Sequence, residues 1–426
     1  LSREQNKRNK MKNYLSYFLI CCSILLGNEH EKLSIFLECR SCNQDYVKEN
    51  ISYVNYVRDR HDADIHILET TQNTGSGGKE YTLIFIGQSE FIGKNDTLMF
   101  TTKVDDSDDI IRKERVRIIQ IGLVPFLLKT PLASQIAISI NKAKVQPKKA
   151  EDKWNNWVYS VSGNSFINAQ QSSQSLMIYG KIKASRVTEN WKLNFSISES
   201  LNEDKFDYGG EEYLSTSERI SMYGSLIKSL TNHLSAGIWT SAWRSSYSNT
   251  DLGLSITPKL EYNIFPYSES NQHALRLIYS IGAEQVDYTD TTLYFKTKES
   301  LLSEGLSVSF STVKPWGSIN TSLSGNHYFH DFSKNILSLN TGLSLRLIKG
   351  LSLNIMGSGS MVHNQLSIPK GDYSIEDVLL ERAELETQFT YFASIGLSYS
   401  FGSIYNNVVN SRFGGGGNRM SYSYGY

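Results

Sequence analysis

Phe389-Thr-Tyr391-Phe-Ala393-Ser-Ile395-Gly-Leu397-Ser-Tyr399-Ser-Phe401 carries an apolar side chain at every second position, and most of the residues between are small or polar. Period two is the signature of a strand with one greasy face. Aromatic residues stand at both ends of that face, about ten residues apart, the length a tilted strand needs to cross a hydrocarbon layer between two aromatic belts. A soluble sandwich shows such alternation once or twice, so recurrence decides between the two.

From Trp157 onward about a dozen segments repeat the pattern. Trp157, Tyr159 and Val161 form one apolar face; Trp191, Leu193, Phe195 and Ile197 form another, against Lys192, Asn194 and Ser196. Leu275, Leu277, Tyr279 and Ile281 alternate with Arg276 and Ser280, and Leu351, Leu353 and Ile355 with Ser352 and Asn354. The links alternate as well. Short ones are expected at 188–190, 230–232, 266–271, 313–315 and 348–350, and long charged ones at 202–217, 287–300 and 363–387. Transmembrane barrels pair short periplasmic turns with long outer loops. The expected fold is therefore an all-β transmembrane barrel of about 12 antiparallel strands over residues 155–402, with Tyr399 and Phe401 as the aromatic insertion signal.

Composition is compatible with this. Forty per cent of the residues are hydrophobic, yet no interior run approaches the roughly 20 apolar residues of a spanning helix. Tyr (25) and Phe (18) are plentiful, and the formal net charge is zero, which gives no electrostatic reason to expect nucleic acid. On the inward parity of the strands fall Lys181, Lys183, Lys192, Arg219, Asp251, Glu261, Arg276, Glu284 and Arg346. Opposite charges in a lumen of this strand number pair and fill it, which argues against a wide general porin.

The first 28 residues read as an upstream stretch and a secretory signal: Lys12, then a mostly apolar core over 14–26. Residues 30–145 read as a small periplasmic α/β domain. Its expected elements are a strand at 33–38, an amphipathic helix at 46–60 carrying Val47, Ile51, Val54 and Val57, strands at 63–71, 81–89 and 97–103, a helix at 110–128 and a strand at 135–140. Cys39 and Cys42 are expected to form a local disulfide in an oxidising compartment, with a redox centre or a metal site as the other readings. Residues 146–154 form a basic linker within a lysine-rich stretch, and residues 403–426 a tail with a glycine run.

The order of elements, with Ala63-Asp-Ile65-His-Ile67, Tyr81-Thr-Leu83-Ile-Phe85 and Asp109-Ile-Ile-Arg112, resembles the amino-terminal domain of the Tol-system translocation protein and the curli-secretion type of periplasmic domain. The end, Tyr399-Ser-Phe401-Gly402-Ser-Ile404, resembles uncharacterised Gram-negative outer-membrane barrels that carry such a domain in front. The resemblance implies a module that docks protein partners without catalysis.

The other chemical readings are weaker. Gly75 to Glu80 suggests a phosphate loop, but the spacing is wrong and Glu80 stands where Ser or Thr is needed, so a hairpin loop is expected. His327 and His330, three apart on a strand, point to opposite faces. His61 and His66, near Asp59, Asp62 and Asp64, read as polar surface. Carboxylates at 199–212 and 372–386 read as a solvated rim, and 374–385 as a short helix over the mouth. No catalytic residue, cofactor or metal site is assigned. The expected function is that of a non-enzymatic outer-membrane protein that contacts lipid and docks periplasmic or outer-membrane proteins; the alternative is a narrow channel for small solutes.

Overall fold

The computed structural model describes residues 32–39, 42–75, 77–137, 152–208, 210–371, 387–410 and 412. The expected signal, most of the linker, the short helix at 374–385 and most of the tail lie outside the described residues.

Two sheets organise the chain. The first has five strands, β1 (Ser34–Glu38), β2 (Asn55–Tyr56), β3 (Ile65–Asn73), β4 (Lys79–Gly87) and β5 (Asn95–Thr101), in the order β2-β1-β3-β4-β5. β1 runs parallel to both β2 and β3; β3, β4 and β5 form an antiparallel meander. A short helix, Gln44–Asn50, and a long one, Asp108–Leu127, accompany the sheet. The long helix begins where Ser107 caps it and Asp108 and Asp109 complement its dipole. Val116, Ile119, Leu123 and Phe126 recur on one face and are buried with Ile35, Ile65, Ile67, Leu83 and Phe85. Each such side chain contributes about 1.5–3 kcal/mol on leaving water. Gly122 lets helix and sheet meet: a Cβ there would stand 2.1 Å from the Phe85 ring.

Twelve strands make the second sheet, an antiparallel meander in strict sequence order: β6 (Trp157–Ala169), β7 (Ser173–Val187), β8 (Trp191–Tyr208), β9 (Glu211–Ser229), β10 (Leu234–Ser245), β11 (Thr250–Asn263), β12 (His273–Tyr288), β13 (Lys298–Lys314), β14 (Gly317–Tyr328), β15 (Asp331–Ile348), β16 (Leu351–Val362) and β17 (Phe389–Tyr399). This is the up-and-down strand order of a barrel, preceded by a small α/β domain. β6 and β17 are its edges, with no ladder between them among the described residues, so the sheet curls without closing. Among the described residues no helix is long and apolar enough to cross a membrane.

Four expectations change. The helix expected at 46–60 ends at Asn50, and Asn55–Tyr56 is a strand beside β1. Val54 and Val57 are buried there all the same. Their spacing suits a helix and an extended edge equally, and the β-branched residues take the extended form once β1 offers hydrogen bonds. At the strand expected over 135–140, Gln135 closes a 3-10 turn, Pro131–Gln135, and residues 138–140 lie outside the described residues. The loop expected at 202–217 is a continuation of β8 and β9, paired from Asn202↔Ser217 to Phe206↔Tyr213, with Lys205 2.8 Å from Glu212 across the hairpin. Opposite charges and facing aromatics stabilise a solvated hairpin as well as a loop. Fourth, His66 is fully buried rather than at the surface.

Candidate functional site: the concave face and the domain junction

Side chains that face each other across a ladder share a face, so register sorts the twelve strands. One face carries Val161, Ile182, Ile197, Met222, Ala242 and Leu254 in one part, and Leu323, Leu339, Ile355 and Ile395 in another. It is exposed: Val161 is 79% and Ile395 74% accessible. The other face is polar and holds cross-strand pairs such as Ser198 with Ser221 (2.9 Å), Ser241 with Ser255 (2.7 Å) and Ser338 with Ser360 (2.8 Å). Residues of this face from β8 to β15 line one cavity of about 810 Å³, which makes the polar face the concave one.

The charged residues predicted for the interior distribute as follows. Lys181 and Lys183 lie opposite Ser162 and Ser160 on β6 and Ser198 and Ser196 on β8. Lys192, Glu261 and Arg276 line the cavity. Arg276 stands 3.9 Å from Glu261, whose carboxylate also accepts a 2.9 Å hydrogen bond from the Tyr267 hydroxyl. Arg219 pairs with Ser200 and Ser245, and Glu284 with Ser255 and Leu301. Asp251 falls in an irregularity between Thr250 and Leu252, where it lies 3.7 Å from the exposed Arg244.

Arg346 leads out of the sheet and into the α/β domain. Its Nη2 lies 2.6 Å from Glu38 Oε1, its Nη1 donates to the Pro315 carbonyl at 3.1 Å, and its guanidinium sits 5.5 Å from the Phe36 ring. The other oxygen of Glu38 is 2.9 Å from Nε2 of the buried His66. Burial pushes the Glu38 pKa up, but the hydrogen bonds of His66 and Arg346 outweigh it and hold the carboxyl below its ordinary value. Beside this cluster, Asp59 accepts the Gly350 amide at 2.7 Å and Asp62 lies 2.5 Å from Lys349. On the turn between β11 and β12, Asn271 donates to the Thr82 hydroxyl at 3.4 Å. The α/β domain thus rests on the end of the sheet where the short turns lie.

The segment after β17 completes the junction. The Arg58 amide donates to the Ile404 carbonyl (2.9 Å), Val57 bridges Tyr405 in antiparallel sense, and the Asn406 amide donates to the Tyr56 carbonyl (2.7 Å). Asn407 accepts from the Tyr56 amide at 2.5 Å and donates to Asn55 at 3.1 Å. The side chain of Arg58 binds the carbonyls of Phe401 and Ser403. Tyr399 and Phe401, the predicted insertion signal, stack with their ring centres 5.5 Å apart at the exposed end of β17.

Cys39 and Cys42 form a disulfide, with Cα atoms 5.6 Å apart, between β1 and the short helix. Of the stretch expected as a hairpin loop, the described residues lie between β3 and β4 or at the start of β4, where Asn73 pairs with Lys79 and Gly77 has a φ of +83°. His327 pairs with Glu304 at 2.9 Å, while His330 lies in the following turn near Tyr328. Among the described residues no three His, Cys, Asp or Glu side chains gather as a metal site.

Sequence reasoning missed the junction: Glu38, Asp59, Asp62, Lys349 and Asn407 are ordinary polar residues until topology brings them together. Alternation did supply one signal, because Arg346 on the inward parity at a strand end has to find a partner beyond the sheet.

No protein-family model and no curated protein matches the chain. Among solved structures, the porin NanC is similar at 8% identity and a TM-score of 0.25, over 57% of this chain and 99% of that one. The β domain of the Bordetella autotransporter BrkA is similar at 11% and 0.24, over 57% and 98%, and the translocator domain of the autotransporter NalP from Neisseria meningitidis at 9% and 0.22, over 57% and 87%. At such scores the likeness carries no argument, and the reading rests on the chain's own geometry.

Proposed function

We propose that this chain is an outer-membrane β-barrel protein of a Gram-negative envelope, without enzymatic activity, whose α/β domain lies on the periplasmic side and docks protein partners of an assembly or transport complex. The sorting of side chains over twelve strands carries this reading. An apolar belt of that extent exposed to water is far beyond the few hundred Å² typical of a soluble monomer. Lipid is the environment in which it is stable. The docking half is supported by the α/β sheet itself: residues 404–407 cover its β2 edge, while among the described residues no strand pairs with the outer side of β5, and Ile92 and Met99 are exposed near it.

Purification in mild detergent tests the docking. A partner that co-purifies with the wild type and is lost on Met99→Asp fits the reading; a barrel that comes out alone contradicts it. A second reading, a narrow channel for small solutes, is favoured by the 810 Å³ cavity on the concave face. Planar-bilayer conductance tests that one.

A further inference from the structure

The small α/β sheet is buried on both faces. Ile65, Ile67, Leu83 and Phe85 share one core with Val116, Ile119 and Leu123 of the long helix. Successive residues of a strand point to opposite faces, so His66, Leu68, Thr70 and Thr82 lie on the side away from that helix. They are nonetheless 0%, 2%, 6% and 2% exposed, with Thr70 directly across the ladder from Thr82. The end of the twelve-stranded sheet covers them: Asn271 donates to Thr82, and Arg346 shares Glu38 with His66.

The contacts are spread around that end. A Cβ on Gly75 would stand 2.6 Å from the Val187 side chain, where β7 enters the β7–β8 turn. Thr82 meets the β11–β12 turn, and Arg346 joins Glu38 to the Pro315 carbonyl in the β13–β14 turn. Asp59 and Asp62 hold Gly350 and Lys349 in the β15–β16 turn. A module tethered at one turn hangs beside an opening, whereas one that touches turns from β7–β8 round to β15–β16 of a curled sheet lies across it. Directly behind it is the 810 Å³ cavity, whose wall at this end is made by Thr188, Glu189, Thr231, Asn232 and Tyr267.

The contact is built to part. Its α/β side is polar, with Glu38, His66, Thr70 and Thr82 at its centre, and polar inter-domain faces separate more readily than large hydrophobic ones. Among the described residues His66 Nδ1 and Thr70 Oγ1 find no hydrogen-bond partner, so exposure to water satisfies these two atoms instead of breaking bonds.

We propose that the α/β domain is a stopper seated across the short-turn mouth of the lumen, and that the protein conducts only while this domain is undocked. The proposal deepens the channel reading and rests on it. Docked, the face of β1, β3 and β4 closes the cavity at this end; undocked, the cavity opens past Thr188, Asn232 and Tyr267.

Planar-bilayer recording of the full chain tests this, with release of the domain followed in parallel by limited proteolysis. The wild type gives rare, brief openings. Glu38→Gln combined with Asp59→Asn keeps both side-chain shapes and removes their charges; open probability then rises about tenfold or more, and cleavage between domain and sheet is faster. Adding Thr82→Cys and Asn271→Cys to that pair returns the current to the wild-type level when the two thiols are oxidised and restores it on reduction, while the wild type under the same reductant controls for the Cys39–Cys42 disulfide. Steady current that is equal in the wild type, the released protein and the cross-linked protein overturns the stopper and leaves the channel. Faster cleavage with no current in any variant overturns the channel reading, and the stopper with it.

Discussion

Arg346 Nη2 lies 2.6 Å from Glu38 Oε1, joining the fifteenth strand to the first across 308 positions of sequence. Glu38 is the hinge of the junction, since its other oxygen meets the buried His66. Glu38→Gln keeps the shape and removes the charge, leaving the Arg346 guanidinium, 28% exposed, without its anion. Docking of the α/β domain is expected to weaken by about 1–3 kcal/mol. Limited proteolysis in detergent, which then cleaves between domain and sheet faster than in the wild type, checks it.

Acid acts on the same contacts. Glu38 and Asp59 are both held below their ordinary values of 4.5 and 3.8, against the opposing effect of burial, by His66 and Arg346 in one case and by His61 and the Gly350 amide in the other. For a carboxyl depressed in the folded state, the stabilisation is complete above the unfolded value and is lost as pH falls through the folded one. Docking is therefore expected to be constant from neutral pH down to about 5 and to loosen below 4.5, then further below 3.8. Energy transfer between a dye on the long helix and one on a short turn measures it; Glu38→Gln removes the upper part of the transition.

The segment after β17 acts as a strap. Residues 404–407 supply the edge of β2 with hydrogen bonds through both backbone and the Asn407 amide. Asn407→Ala removes two bonds and is expected to cost about 1–2 kcal/mol of docking, and ending the chain at Phe401 more. Hydrogen exchange at the amides of Tyr56 and Arg58 accelerates if this is right and is unchanged if the segment lies there without holding.

Inside the α/β domain, Arg115 and Glu69 form a two-bond pair at 2.6 and 3.2 Å with side chains 4% and 2% exposed. Arg115→Met leaves a buried carboxylate alone and should destabilise the domain by about 3–5 kcal/mol. Gly122→Ala, which presses on Phe85, should cost about 1–3 kcal/mol. Denaturant unfolding monitored by near-ultraviolet circular dichroism gives both.

Much of the large sheet was legible because its period is local. Phe389 to Phe401 and its repeats encode face, span and strand count within each segment, and the turns at 188–190 and 348–350 fall where alternation breaks. The extension of β8 and β9 past Asn202 was hidden because solvated hairpins and loops share a composition, and only the cross-strand partners of Lys205 and Phe206 distinguish them. The junction was least legible. Helical spacing in Val47, Ile51, Val54 and Val57 concealed the strand at Asn55–Tyr56, and that strand is where residues 404–407 bind. His66 looked like one of several polar residues near a turn; its burial depends on β1 and β3 lying side by side.

The alternate exposure of β16 and β17 to lipid and water tests the central claim most directly. Spin labels placed singly at Leu353, Ile355 and Leu397, and at Ser352, Asn354 and Ser398, are reconstituted in lipid vesicles, and their collision rates with oxygen and with a water-soluble nickel chelate are measured. Labels at Leu353, Ile355 and Leu397 should collide with oxygen and be shielded from nickel, and the other three should show the reverse. Nickel access to all six positions, or a protein that stays monomeric in water without vesicles, would contradict a strand sheet with one face in the bilayer.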